Sequence, residues 1–428
     1  MKKLLLLFVL PVFFSPMSLD SGEMGIFLTS GQRYQLSADV GTRYSYFEQV
    51  PQNPNLFQET PAYTDSQLKT TAGWLKPNEN LSIKRLTINE QAIPVFELTD
   101  GSYLPASKWL IFDDVVFDNE NFTQTYWTKE KPTVYTAPYV LGVTSKDTVI
   151  EAYSPVSVIS RARTQHGVFL EIENKGWVRA DDLSEIDTRI DKVQKLLNQK
   201  YNKSNYGIYV KQLATQATAS INPDQRMYSA SIAKLPLLYY VEEQLANGSL
   251  ALSDKLTYIE QVNQFSGSYD VSGSSKMSLT ADDKDYSIDE LTRYVSQNSD
   301  NVASNLLGYY VANQYDKTYQ TTIENLAGGS WNMTEKQMSA KMAGKIMEKL
   351  YYQNSQILTY LSETDFDNQR ISKDISARVA HKIGDAYDYK HDVALVYADS
   401  PFILSIFTDK SSYDEITTIA NDVYEILK

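Results

Sequence analysis

The chain has 428 residues, with 40 Lys+Arg against 53 Asp+Glu for a formal charge of -13, and no cysteine. That length carries two or three domains, and with 42% hydrophobic residues available for packed cores it excludes both one small domain and global disorder. The acidic balance argues against wrapping of nucleic acid by counterion release, and the lack of Cys excludes disulfides, thiolate chemistry, Cys-bound zinc and a lipidated lipoprotein cysteine.

Lys2 and Lys3 precede an apolar run from Leu4 to Phe14, broken once by Pro11. This reads as an export signal over residues 1–19, being about half of the ~20 residues a membrane-spanning helix needs. The expected location is therefore outside the cytoplasmic membrane, secreted or at the cell wall. Residues 20–60 are polar and aromatic, with Pro51 and Pro54, and are expected to form a lead-in or linker.

Two stretches then share landmarks. Val95-Phe96 and Val168-Phe169 are offset by 73 residues, as are Leu110 and Leu183, while Tyr103 and Trp177 are offset by 74. Both stretches alternate β-branched and aromatic runs with turn signals, Asp100-Gly101 in one and Asn174-Lys175-Gly176 in the other. Duplicated small all-β barrel modules over residues 61–115 and 130–186 are expected. The Gly-Trp pair at 176–177 resembles the bacterial Src-homology-3-like modules of wall enzymes, which implies wall binding through these modules. Spacer barrels without a ligand are the alternative.

After Asp187 the apolar residues Ile190, Val193, Leu196 and Leu197 recur at helical spacing and open a domain spanning 188–428. Tyr206 to Leu213 and Ala217 to Ile221 read as strands, as do Val393 to Tyr397 and Phe402 to Thr408 near the other end. Ser412 and Glu415 form a capping box for a last helix with an Ile416, Ile419, Ala420, Val423, Ile426 stripe. Strands at both ends with helices between them predict an α+β fold whose antiparallel sheet is closed by the two ends of the domain.

Ser231-Ile232-Ala233-Lys234 enters a helical run and places serine and lysine one turn apart on one face. A serine hydroxyl needs a neighbouring base, and lysine serves as one only if its pKa falls. Pro236 is expected to distort the turn just after the motif. The pattern alone is weak, because Ser66-Gln67-Leu68-Lys69 matches it too. Ser299-Asp300-Asn301 follows a helix opened by the capping box Ser287/Glu290, and Asn301 can cap the next helix. Lys382-Ile383-Gly384 precedes the C-terminal strand pair.

In this order, with Ser231 and Ser299 separated by 68 residues and Ser299 and Lys382 by 83, the sequence resembles the penicillin-recognising serine enzymes. These are class A β-lactamases and D,D-peptidases, with the signature S-x-x-K, S-D-N, K-T-G. The resemblance implies a β-lactamase-like fold of sheet plus helical lobe, and a hydrolase acting through an acyl-Ser231 enzyme. Lys234 would be the base, Ser299 the proton relay, and Asn301 a holder of substrate amide and lysine. Lys382 and Gly384 would bind substrate, with the backbone N–H groups of Ser231 and Asp385 as oxyanion hole. Implied ligands are peptidoglycan peptides ending in a D-amino acid or β-lactams, with no metal and no cofactor. That agrees with only three scattered histidines, His166, His381 and His391.

Two departures stand out. Ile383 replaces a hydroxyl residue, so carboxylate binding should be weaker or different. The E-x-x-L-N loop that supplies a deacylating glutamate is absent between Tyr315 and Thr334, and Glu324 reads as a solvated helix residue. Slow β-lactam deacylation is expected. The rival reading is an inactive wall-binding scaffold that kept the fold.

Overall fold

Alternation along the segment Tyr206–Gln212 explains the sheet at the centre of the C-terminal domain: Ile208 and Val210 point into one apolar core while Tyr209 points into another. This computed structural model describes residues 28–37 and 45–428, so the export signal expected over 1–19 lies outside the described residues. Among the described residues no helix is long and apolar enough to cross a membrane. The chain divides into two compact units, one of residues up to Glu120 with Tyr135–Ser145 and Arg161–Phe169, the other of Asn121–Val134, Lys146–Ser160 and Leu170–Lys428.

In the first unit a five-stranded sheet runs in the order Thr71–Leu75, Thr60–Tyr63, Tyr103–Pro105, Pro94–Leu98, Ile83–Ile88. Its core holds Leu56, Phe96, Leu98, Leu104 and Ile111. The linker expected up to residue 60 needs correction. Pro54–Leu56 pairs antiparallel with Ile111–Asp113, and Phe47 packs on Phe96 with its N–H donating to the Ala106 carbonyl at 2.9 Å. Prolines suggest a linker, but Leu56, just after them, is buried in the module core and Phe47, before them, packs against it. The helix Ser30–Ser37 also falls in that segment.

Strands Pro155–Thr164, Gly167–Ile172 and Gly176–Arg179 repeat, about 73 residues on, the succession Ile83–Ile88, Pro94–Leu98, Tyr103–Pro105. Phe96 and Phe169 are both fully buried, whereas Val95 is buried and Val168 lies at the surface. Within the second unit, Val134, Ile150, Val158, Leu170, Ile172, Val178 and Leu183 form a small β core. The strand Asp118–Thr128 starts before the expected boundary at 130.

The large domain is the expected α+β fold. Its sheet has the order β2-β1-β5-β4-β3, all antiparallel, with β1 Tyr206–Gln212, β2 Thr218–Ile221, β3 Val379–Ala386, β4 Tyr389–Val396 and β5 Phe402–Asp409. On one face lie α1 (Arg189–Lys200) and the C-terminal helix Tyr413–Leu427, which buries Ile416, Ile419, Val423 and Leu427. Each such side chain contributes about 1.5–3 kcal/mol. On the other face is the helical lobe: α2 (Lys234–Ala246), α3 (Ile288–Gln297), α4 (Asn301–Tyr310), α5 (Lys317–Ala327) and α6 (Ala340–Tyr352). Both expected capping boxes are present, Ser287 with Glu290 and Ser412 with Glu415.

Candidate active site

Three local devices bring the motifs to one cleft. Ser231 sits in a 3-10 turn, Ala230–Ala233, and α2 begins at Lys234. Pro236 falls in the first turn of α2, where its missing N–H has no intrahelical partner to lose, so the expected distortion after the motif does not occur. Asp300, not Asn301, caps α4, accepting from the Ala303 N–H at 2.8 Å. The carboxylate satisfies the helix end and leaves the Asn301 amide for the cleft. Finally, β3 packs against the Ser231 turn: a Cβ on Gly384 would come within 2.5 Å of the Ser229 carbonyl oxygen, so only glycine allows this approach.

Lys234 is fully buried, and its Nζ lies 3.1 Å from Ser231 Oγ, 2.6 Å from the Ser299 carbonyl and 2.6 Å from Asn301 Oδ1. The Asn301 amide is itself oriented by donating to the Asp270 carbonyl at 2.6 Å. Burial, then the nearby Lys382 charge, hold the Lys234 amine well below its ordinary range. A neutral amine has two N–H bonds, enough for the two 2.6 Å acceptors, and a lone pair left for the Ser231 proton. Lys382 on β3 donates to Ser299 Oγ at 2.8 Å, so that hydroxyl bridges the two lysines. Burial lowers the Lys382 pKa to about 7. Ser231, Lys234, Ser299, Asn301 and Lys382 therefore meet in one place. Ser231 and Asp385 line the same cavities, of about 260 and 270 Å³. Ser66 belongs to the first unit, between strands Thr60–Tyr63 and Thr71–Leu75, with Lys69 exposed.

Several residues here escaped sequence reasoning. Tyr269 carries Lys234 Nζ at 4.5 Å and Lys336 Nζ at 4.7 Å from its ring centre. Burial lowers Lys336 to about 8, and its ammonium donates to the Gly267 carbonyl at 3.1 Å. Arg370 lines the cavity beside Ile383 and pairs with Asp385 at 2.6 Å. Ala230, Ser299, Lys336 and Arg370 all have left-handed φ of +49° to +58°, a non-glycine conformation that collects at functional sites. No motif signals Tyr269, Lys336 or Arg370, because each acts through contacts distant in sequence.

The two histidines of this domain serve the structure. His391 stacks on Phe407, its Nε2 lies 2.9 Å from the Tyr228 carbonyl, and burial pushes it down to about 4, so it stays neutral. His381 is opposite in sign. Burial opposes its charge, but the Asp392 carboxylate at 3.0 Å and Asp367 at 3.1 Å outweigh this and raise it to about 9. A folded pKa above the unfolded ~6.5 stabilises fully below pH ~6.5 and is lost as pH climbs through 9. Unfolding free energy from denaturant titrations should accordingly fall by about 3 kcal/mol between those limits from this group. His381→Gln should flatten that slope, and an equal slope in both proteins would rule the account out.

The Beta-lactamase enzyme family profile covers residues 188–427, and a domain of unknown function (DUF5776) covers 46–111. No curated protein matches. Among solved structures, PBP-A is 16% identical with a TM-score of 0.47, over 56% of this chain and 96% of that one. A PBP-A variant at 17% identity and TM-score 0.45, over the same shares, is an acyl-enzyme complex with penicillin G. The β-lactamase from Desulfarculus baarsii DSM 2075 is 19% identical with a TM-score of 0.44, over 56% and 96%. The profile match extends over more than half of the 428 residues and contains the whole cleft from Ser231 to Lys382, and by it the chain belongs to the beta-lactamase enzyme family.

Proposed function

We propose that the protein is an exported serine acyl-transfer hydrolase acting at the cell wall through an acyl-Ser231 intermediate. The observation that carries this reading is the buried, deprotonation-prone Lys234 amine 3.1 Å from Ser231 Oγ. Lys234 takes the serine proton, Oγ attacks the substrate carbonyl, and the backbone N–H groups of Ser231 and Asp385 receive the developing oxyanion. Ser299 passes a proton to the leaving nitrogen, helped by the Lys382 ammonium on its oxygen. The substrate class is peptidoglycan stem peptides or β-lactams, both of which offer an acylatable amide. The N-terminal β modules hold the enzyme near the wall in this reading.

Intact mass after incubation with a labelled penicillin tests it. A stable adduct on the native chain that Ser231→Ala lacks is the expected result. An unmodified native protein, at millimolar penicillin over hours, would favour the inactive scaffold instead.

A further inference from the structure

The cavity beside Ser231 contains a cation that the chain has already answered. Arg370 is 1% exposed as a side chain, yet it lines this cavity with Ile383, Gln369 and Ser299. Its guanidinium is held on three sides: Tyr413 lies under it with 3.8 Å to the ring centre, Gln369 Oε1 accepts from Nη1, and Asp385 Oδ2 accepts from Nη2 at 2.6 Å. Its backbone is fixed as well, the Arg370 carbonyl accepting from Thr417 Oγ1 at 2.8 Å. Nε is buried with no partner among the described residues. A planar, permanently charged fork opening on a cleft is suited to a carboxylate. The carboxylate on it is the protein's own. Asp385 is 32% exposed and also accepts from the Tyr413 hydroxyl, so it sits at the cavity mouth with two donors.

We propose that Asp385 determines specificity by occupying the anion position on Arg370, so that the cleft as it stands takes acyl donors whose leaving portion is uncharged, such as ester- or amide-blocked peptides. The inference rests on the acyl-Ser231 reading for the reaction but concerns recognition by the same cleft. A substrate carboxylate gains Arg370 only after displacing Asp385, and its apparent affinity falls by the fraction of time the arginine is free. Ile383 reinforces the effect, because it gives a displaced or incoming carboxylate no hydroxyl. Loss of the Asp385 charge would open the subsite.

The test is calorimetric and uses full-length protein carrying Ser231→Ala, so that no covalent step intervenes. The probes are benzylpenicillin, with one carboxylate, and its methyl ester, without one. Adding Asp385→Asn should tighten benzylpenicillin about tenfold and leave the ester within about twofold, and adding Arg370→Ala as well should abolish the gain. Tyr413→Phe keeps the ring under Arg370 but removes one donor to Asp385, and should give a smaller gain of about threefold. It serves should Asp385→Asn fail to fold. Unchanged or weaker binding of benzylpenicillin in both variants, equal tightening of acid and ester, or no measurable binding of either probe would each overturn the proposal. Because the nucleophile is absent, these outcomes stand apart from whether Ser231 acylates.

Discussion

Lys234→Ala should remove acylation of Ser231 while leaving the fold in place, with a loss of about 10²–10⁴ in the rate of adduct formation, the range that a positioned general base supplies. The geometry makes the dependence specific. Lys234 Nζ is 3.1 Å from Ser231 Oγ, whereas Lys382 Nζ bonds Ser299 and the Ile383 carbonyl. The two lysines must act in opposite protonation states, Lys234 neutral to accept a proton and Lys382 charged to support Ser299. Acylation should therefore rise with pH through the depressed Lys234 range and fall again as Lys382 loses its proton above about 7. The bell belongs to the coupled pair rather than to either amine. Lys382→Arg, whose guanidinium does not titrate in this range, should remove the alkaline limb. Stopped-flow acylation across pH 5 to 9 with a fluorescent penicillin measures both effects. A Lys234→Ala protein that acylates within threefold of the native rate would show that another group takes the proton.

What could be read from the sequence divides along physical lines. Capping boxes and apolar stripes are local signals, so Ser287/Glu290, Ser412/Glu415 and the helix from Arg189 were legible, and the strand runs at both ends predicted the closed sheet. The three motifs, each weak alone, were legible through the family resemblance that their order and spacing carry, and the fold brings their side chains within hydrogen-bond reach. Arg370 was not. Its partner Asp385 is 15 residues away and Tyr413 reaches Asp385 across 28, so nothing in its own neighbourhood marks it. Lys336 was likewise invisible, since a lone lysine in a polar stretch reads as solvated until Tyr269 and Gly267 close over it. The first module's edge was misplaced for a related reason: prolines mark loops locally, but only the tertiary contact of Phe47 with Phe96 shows that the loop is core.

Deacylation is where the family's chemistry and this chain should part most widely. Between α5 and the strand Gln337–Ser339 the chain passes directly through Gly328, Gly329 and buried Trp331, with no inserted loop. Glu324, expected to be a solvated helix residue, is half-buried on α5, and its carboxylate accepts from the Trp331 N–H and the Gln320 amide, both at 3.2 Å. Among the described residues lining the two cavities with Ser231, the carboxylates are Asp270 and Asp385. Asp270 is held below the usual carboxylate range by the Ser272 hydroxyl and N–H, which makes it a poor base. Asp385 is engaged by Arg370 and Tyr413. Acylation needs only the serine, Lys234, Ser299 and the oxyanion donors and should proceed, while hydrolysis of the ester would lack a dedicated carboxylate base. A benzylpenicillin adduct should consequently persist about 10²–10⁴ times longer than general-base assistance would allow. Time-resolved intact mass after dilution into excess competitor gives the lifetime directly. Steady nitrocefin turnover of roughly a hundred per second, ordinary for an efficient enzyme, would mean that a base is present after all. Lys336 would then be the first group to replace, since burial already brings its pKa to about 8 and it shares the Tyr269 ring with Lys234.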